Sequence, residues 1–242
     1  MSSLDETLQA NIGRVIERIS VAARAVGRDP RTVRLLAVSK TFGTEAVQAA
    51  ARCGQADFGE NYVQEGVAKI VQLREREPRR ALRWHFIGPI QSNKTADIAT
   101  HFDWVHSIDR LKIAQRLSSQ RPAGMADLDV LVQVNVSGEA SKSGVAVDAA
   151  SALAHAVARL PRLRLRGLMA IPEPDDEALR QRAPFARLRA LFEALRAGGL
   201  DLDTLSMGMS GDLEAAIVEG ATIVRVGTAI FGARPAPSMA RL

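Results

Sequence analysis

The chain has 242 residues, 47% hydrophobic and 24% charged, with 32 basic against 27 acidic side chains for a formal charge of +5. At 26.1 kDa and a mean hydropathy of −0.02 it has the make-up of a globular protein about the size of one barrel, which excludes fibrous, disordered and membrane-spanning classes. The opening MSSLDETLQA lacks the layout of a secretory signal, and Cys53, the one cysteine, excludes an internal disulfide or a cysteine metal cluster, so a single cytoplasmic domain over 1–242 is expected.

Taken in chain order, the elements alternate. Leu4, Leu8, Ile12, Val15, Ile16, Ile19 and Ala23 recur at helical spacing, giving a leading helix within 1–27 that Gly27 and Asp29-Pro30 end. Val33–Val38 reads as a buried strand, followed by helix Glu45–Arg52 and a short strand at Asp57-Phe58. Helix Val63–Arg76 precedes strand Leu82–Ile87, helix Asn93–Thr100 precedes Trp104–Ser107, and helix Arg110–Ser119 precedes Asp129–Val134. Helix Asp148–Leu160 leads to Leu163–Met169, Asp176–Ala197 to Thr204–Ser206, and Asp212–Glu219 to Thr222–Val226. Residues 235–242 read as a flexible, Pro-containing tail. Eight near-continuous apolar strands separated by helices require parallel pairing with right-handed crossovers. The expected class is therefore α/β, a (β/α)8 TIM barrel with an additional N-terminal helix, and an open doubly wound sheet is the alternative.

A barrel builds its site just past the C-terminal ends of its strands. Lys40 ends the first strand and is one of only five lysines. An amine desolvated there is neutral and nucleophilic, as Schiff-base chemistry requires; otherwise Lys40 snorkels to the rim. After the last strand, Gly227 lets backbone N–H groups approach an anion, and Thr228 adds a hydroxyl at the start of a short helix. Ser206 and Ser210 belong to the preceding strand end, where Ser210 or Asp212 also suits a helix cap. Arg225 alternates with apolar residues and needs acceptors: a carboxylate on a neighbouring strand, or a cofactor ring nitrogen. Asn61 either donates to a ligand or caps a helix; His85 reads as a satisfied core histidine, and Lys142 as a surface lysine on a Gly/Ser-rich loop. His101, His106 and His155 lack metal-like spacing, so no metal is expected. The arginines are scattered and aromatics few, which favours a small anionic ligand over nucleic acid.

Six segments occur in order: Leu36-Ala-Val-Ser-Lys40, Phe58-Gly-Glu-Asn-Tyr62, Trp84-His-Phe-Ile-Gly88 with Gln91-Ser-Asn-Lys94, Gly167-Leu-Met-Ala170, Leu205-Ser-Met-Gly-Met-Ser210 and Arg225-Val-Gly-Thr-Ala-Ile-Phe-Gly232. Over about residues 8 to 234 the chain closely resembles the YggS/PROSC family, the pyridoxal phosphate homeostasis proteins, whose fold-type III barrel is shared with the N-terminal domain of alanine racemase. The resemblance implies that Lys40 carries an internal aldimine with pyridoxal 5′-phosphate, that Ser210, Gly227 and Thr228 hold its phosphate with Ser206 nearby, and that Arg225 faces the pyridine nitrogen. It further implies a monomer that stores, buffers or delivers the cofactor to pyridoxal phosphate-dependent apoenzymes, with no membrane or nucleic-acid partner and no catalytic turnover.

Two other functions use the same residues. An alanine racemase needs a tyrosine acid/base opposite the lysine and a second, β-rich domain; the only tyrosine is Tyr62, and the chain ends soon after the last barrel motif. An aldolase-like barrel acting through Lys40 on a sugar phosphate would leave Arg225 without a pyridine to face.

Overall fold

In the computed structural model, residues 3–233 are described apart from 78–79, 139–142, 174 and 176. Lys142, Asp176 as the start of its helix, and the 235–242 tail lie outside the described residues. Eight parallel strands close on themselves: β1 (Arg34–Val38), β2 (Asp57–Glu60), β3 (Arg83–Phe86), β4 (Trp104–Ile108), β5 (Leu128–Asn135), β7 (Leu163–Met169), β8 (Thr204–Ser206) and β9 (Ile223–Val226). The order runs β4-β3-β2-β1-β9-β8-β7-β5, and a β4–β5 pairing shuts the ring, so the open-sheet alternative is not what forms. One element is additional: β6 (Val145–Ala146) pairs with the end of β5 just before α6. Two residues leave no periodic signature, so the sequence does not announce it.

The helices α1 (Ser3–Ala25), α2 (Thr44–Arg52), α3 (Val63–Arg76), α4 (Thr95–His101), α5 (Leu111–Gln120), α6 (Val147–Ala158), α7 (Ala178–Ala197), α8 (Leu213–Val218) and α9 (Thr228–Phe231) cover the ring. No helix among the described residues is long and apolar enough to cross a membrane. Alternate strand residues face opposite ways. Leu35, Ala37, Phe58, Trp84 and Phe86 pack outward into the large cluster shared with the helices, whereas Leu36, Val38, Ile87 and Ile223 form a separate cluster.

The leading helix is more than an extra layer. Its buried stripe (Leu8, Ile12, Val15, Ile19, Ala23) packs on the barrel's outside, as the spacing predicts. Its polar side chains reach α9 and the β8–α8 loop: Asn11 donates to the Ile230 carbonyl at 2.7 Å, and Arg18 to the Ser210 carbonyl at 3.0 Å. Arg28, just beyond the helix, donates to the carbonyls of Ile217 and Ala221, each at 2.8 Å.

Candidate functional site

A cavity of about 400 Å³ opens at the C-terminal end of the strands, with Asn61, Ile87, Gln133, Ile171 and Met209 in its wall. That is the end of a barrel, and the size of cavity, at which small ligands bind. Asn61 is half-buried, and its Oδ1 is buried with no hydrogen-bond partner among the described residues. A buried acceptor left unsatisfied costs about 1–3 kcal/mol, so this wall is incomplete without a polar occupant.

Lys40 is half-buried, two residues past the end of β1, in a tight turn closed by the Phe42 N–H on the Ser39 carbonyl at 3.1 Å. The turn forces Thr41 to φ 69°, a left-handed conformation that costs a β-branched residue about 1–2 kcal/mol. A buried ionic clasp holds it there. The Thr41 N–H donates to Glu65 Oε1 at 2.6 Å, and the Lys69 ammonium donates to Glu65, to Glu60 Oε1 at 2.9 Å and to the Ser39 carbonyl at 2.8 Å. Ser39 Oγ also donates to Glu60 Oε1, at 2.6 Å. Burial pushes the Glu60 carboxyl above its ordinary pKa even against the Lys69 ammonium.

Beside β1, the β9 strand sets Arg225 level with Leu36 and Val226 level with Ala37. Gly227 follows, so close to β1 that an added Cβ would lie 3.2 Å from the Val38 carbonyl oxygen. Gly227 sits at the start of α9, where first-turn N–H groups lack helical partners, and Thr228 is exposed beside it. The Lys40 turn and the Gly227–Thr228 segment thus occupy adjacent strand ends. Ser210 is half-buried in the β8–α8 loop, which the Arg225 N–H binds to β9 through the Gly208 carbonyl at 2.9 Å. Asp212 takes the N-cap position of α8, but its carboxylate accepts the Met209 N–H and does not bond the helix's first turn.

Arg225 lies under this mouth, almost wholly buried. Among the described residues its hydrogen-bond partners are the Ser206 hydroxyl at 2.8 Å and the Ala170 carbonyl at 2.9 Å, and no neighbouring-strand carboxylate bonds it. Burial lowers its pKa to about 10, with Asp212 opposing, so it is still protonated at neutral pH. Ser206 is wholly buried with its hydroxyl shared between Arg225 and His106, so the structure brings it to Arg225 and not into the cavity wall. His85 is a satisfied core histidine, 3.0 Å from Asp57 and 2.9 Å from His106.

Sequence reasoning passed over the Glu60–Lys69–Glu65 clasp and the Asp57–His85–His106 contacts. The signals were present: a lysine inside the apolar run Val67-Ala-Lys-Ile-Val71 of a lysine-poor chain, and histidines at inward-alternating positions of neighbouring strands.

Residues 11–235 match the alanine racemase N-terminal domain family. A pyridoxal phosphate homeostasis protein from Pseudomonas aeruginosa is 64% identical over 228 residues, covering 94% of this chain and 96% of that one. The solved structure of PipY from Synechococcus elongatus with PLP bound is 35% identical at a TM-score of 0.77, covering 90% of this chain and 100% of that one. An alanine racemase from Clostridium difficile shares the fold alone, at 14% identity and a TM-score of 0.72, covering 96% of this chain and 58% of that one.

Proposed function

The chain belongs to the family of pyridoxal phosphate homeostasis proteins, and we propose that it binds pyridoxal 5′-phosphate at its barrel mouth and holds it for delivery within the cytoplasm. The observation that carries this reading is Arg225, a buried, protonated guanidinium with two of its five N–H donors committed to Ser206 and Ala170 and, among the described residues, no carboxylate bonded to it. Together with the free first-turn N–H groups at Gly227 and Thr228, it fits a planar, polar ring carrying a phosphate. When bound, that group supplies an aldehyde carbon on which a lysine amine forms a reversible C=N bond with loss of water.

The chain's own residues divide the remaining work. Lys40 is the covalent anchor, presented by its strained turn. Gly227, Thr228 and Ser210 hold the phosphate, Asn61 closes the wall, and Ser206 stands behind Arg225. Arginine donates to a ring nitrogen without surrendering its proton. A ring left unprotonated is a weak electron sink, which suits holding the cofactor over carbanion chemistry, so no turnover is expected. Lys40 would yield to a competing amine or amino acid, whose nitrogen would take over the C=N bond as the Lys40 amine leaves, and apoenzymes that need the cofactor would be the recipients. One chain supplies every group named, in keeping with a monomer and with 1–242 acting as a single unit.

The test is a visible spectrum of the purified protein before and after borohydride, with mass analysis of the peptide containing Lys40. A chromophore that borohydride bleaches and fixes to Lys40 is expected, and Lys40→Ala should abolish the fixed adduct. A colourless protein unchanged by added pyridoxal phosphate would overturn the reading and favour the aldolase. The racemase reading rests on the shared fold; the single tyrosine, Tyr62, is 56% exposed at the N-terminus of α3. Chiral analysis of an L-alanine incubation decides it, and steady D-alanine formation would reverse the assignment.

A further inference from the structure

Side chains pointing into a TIM barrel are ordinarily branched and apolar. In this barrel five polar ones, from five strands, touch in series: Asp57 on β2, His85 on β3, His106 on β4, Ser206 on β8 and Arg225 on β9. His85, His106 and Ser206 are wholly buried, and Asp57 and Arg225 nearly so. The links are His85 Nε2 to Asp57 Oδ1 at 3.0 Å, His85 Nδ1 to His106 Nε2 at 2.9 Å, His106 Nδ1 to Ser206 Oγ at 2.9 Å, and Arg225 Nη1 to Ser206 Oγ at 2.8 Å. Stacking of His85 on Trp104 (ring centroids 5.4 Å apart) and the edge contact of His106 with Trp104 fix both imidazole planes.

We propose that this file is a one-way donor chain whose role is to orient Arg225 towards the ring nitrogen of the bound pyridine. The direction follows from the two ends. Arg83 clamps the Asp57 carboxylate at 2.7 and 2.6 Å, so Asp57 accepts and His85 Nε2 must donate. A neutral His85 then has only Nδ1 left as acceptor, so His106 donates from Nε2. His106 Nδ1 in turn accepts the Ser206 hydroxyl hydrogen. With that hydrogen committed, Ser206 faces Arg225 as a pure acceptor, and Ser206 with the Ala170 carbonyl fixes the guanidinium plane. Burial favours the neutral imidazole at both histidines, so the direction does not alternate. Asp57, His85, His106 and Ser206 are thereby positioning residues for Arg225.

This inference rests on the proposed function only for the identity of the ligand, because the file itself can be read in ligand-free protein. Long-range ¹H–¹⁵N spectra of the full-length, uniformly labelled chain should show His85 and His106 as neutral Nε2–H tautomers at neutral pH. An Nδ1–H tautomer or an imidazolium at either position would overturn the proposal. In the same protein, Ser206→Ala should speed solvent exchange of the Arg225 Nη hydrogens, while His101→Gln, a histidine outside the file, should leave it unchanged. Unaltered Arg225 exchange in Ser206→Ala would also overturn it. With pyridoxal phosphate added, Ser206→Ala should release the cofactor about ten-fold faster and shift its visible band, the expected loss for a bond to a charged group. An unchanged rate and band would refute the orienting role. A protein that takes up no cofactor refutes the proposed function, and the tautomer and exchange results still decide the file.

Discussion

Two buried polar assemblies flank the mouth of this barrel, and they stabilise different things. The clasp of Glu60, Glu65 and Lys69 lies in the layer between β2 and α3 and sets two carboxylates on one ammonium. The file from Asp57 to Arg225 crosses the lumen and keeps its formal charges at the ends, with neutral groups between. The clasp grips backbone, holding the Ser39 carbonyl and the Thr41 N–H so that a strained turn persists; the file grips a side chain and fixes a guanidinium plane. Backbone geometry at Lys40 is held by charge, whereas the direction of the Arg225 side chain needs only a consistent order of donors.

Removing the cation of the clasp should have the largest effect. Lys69→Met strands Glu60 and should cost about 3–5 kcal/mol of unfolding free energy in denaturant titrations at neutral pH. Glu60 already has a raised pKa, so the deficit should shrink as acid protonates it; a deficit independent of pH would deny Glu60 its part. Acid should strain the file in the opposite sense. The pKa values of His85 and His106 are lowered from 6.5 by burial, although Asp57 works to raise that of His85. The unfolded chain therefore takes up protons that the folded one refuses, and stability is lost as pH falls below 6.5. Each histidine contributes up to about 1.4 kcal/mol per pH unit, and His106→Gln should remove its share of that slope. Asp57 adds a later loss below 3.8: burial opposes its ionisation, but the bonds from Arg83 and His85 outweigh burial and hold its pKa down. Gly227→Ala should matter less to folding than to the ligand. Its methyl group meets Val38 at 3.2 Å, so cofactor affinity measured by fluorescence titration should fall while the melting temperature moves by only a few degrees. Smallest is Arg18→Ala, which removes a partly exposed pair with Glu214 together with the bond to the Ser210 carbonyl and should cost about 1 kcal/mol by thermal denaturation.

The barrel was legible because its signal is local. Eight strand-like runs alternating with helical repeats admit few arrangements, and seven of the eight strands could be read to within one residue of their observed ends. β2 was read short, since Gly59 and Glu60 break the apolar run although both are buried in the strand. The strand-end residues were legible for a related reason: Lys40, Asn61, Gly227 and Thr228 follow strands directly, and the fold makes that position meaningful. The two assemblies were not, because neither is local. Glu65 and Lys69, four apart on a helix, read as an ordinary solvated pair until β2 places Glu60 against them. His106 and Ser206 are a hundred residues apart and meet only when the ring closes. Ser206 was expected only near the phosphate, and proximity in sequence to Ser210 says nothing of the inward turn that gives its hydroxyl to Arg225.

The first helix holds, by Asn11 and Arg18, the short helix α9 and the β8–α8 loop, the two segments between which the proposed phosphate cradle is divided. Those segments belong to different barrel units and are joined only through α8 and β9. Thermodynamic reciprocity then ties two events at opposite ends of the chain: any free energy by which the docked helix tightens anion binding returns, undiminished, as protection of residues 3–25 against fraying when the anion is present.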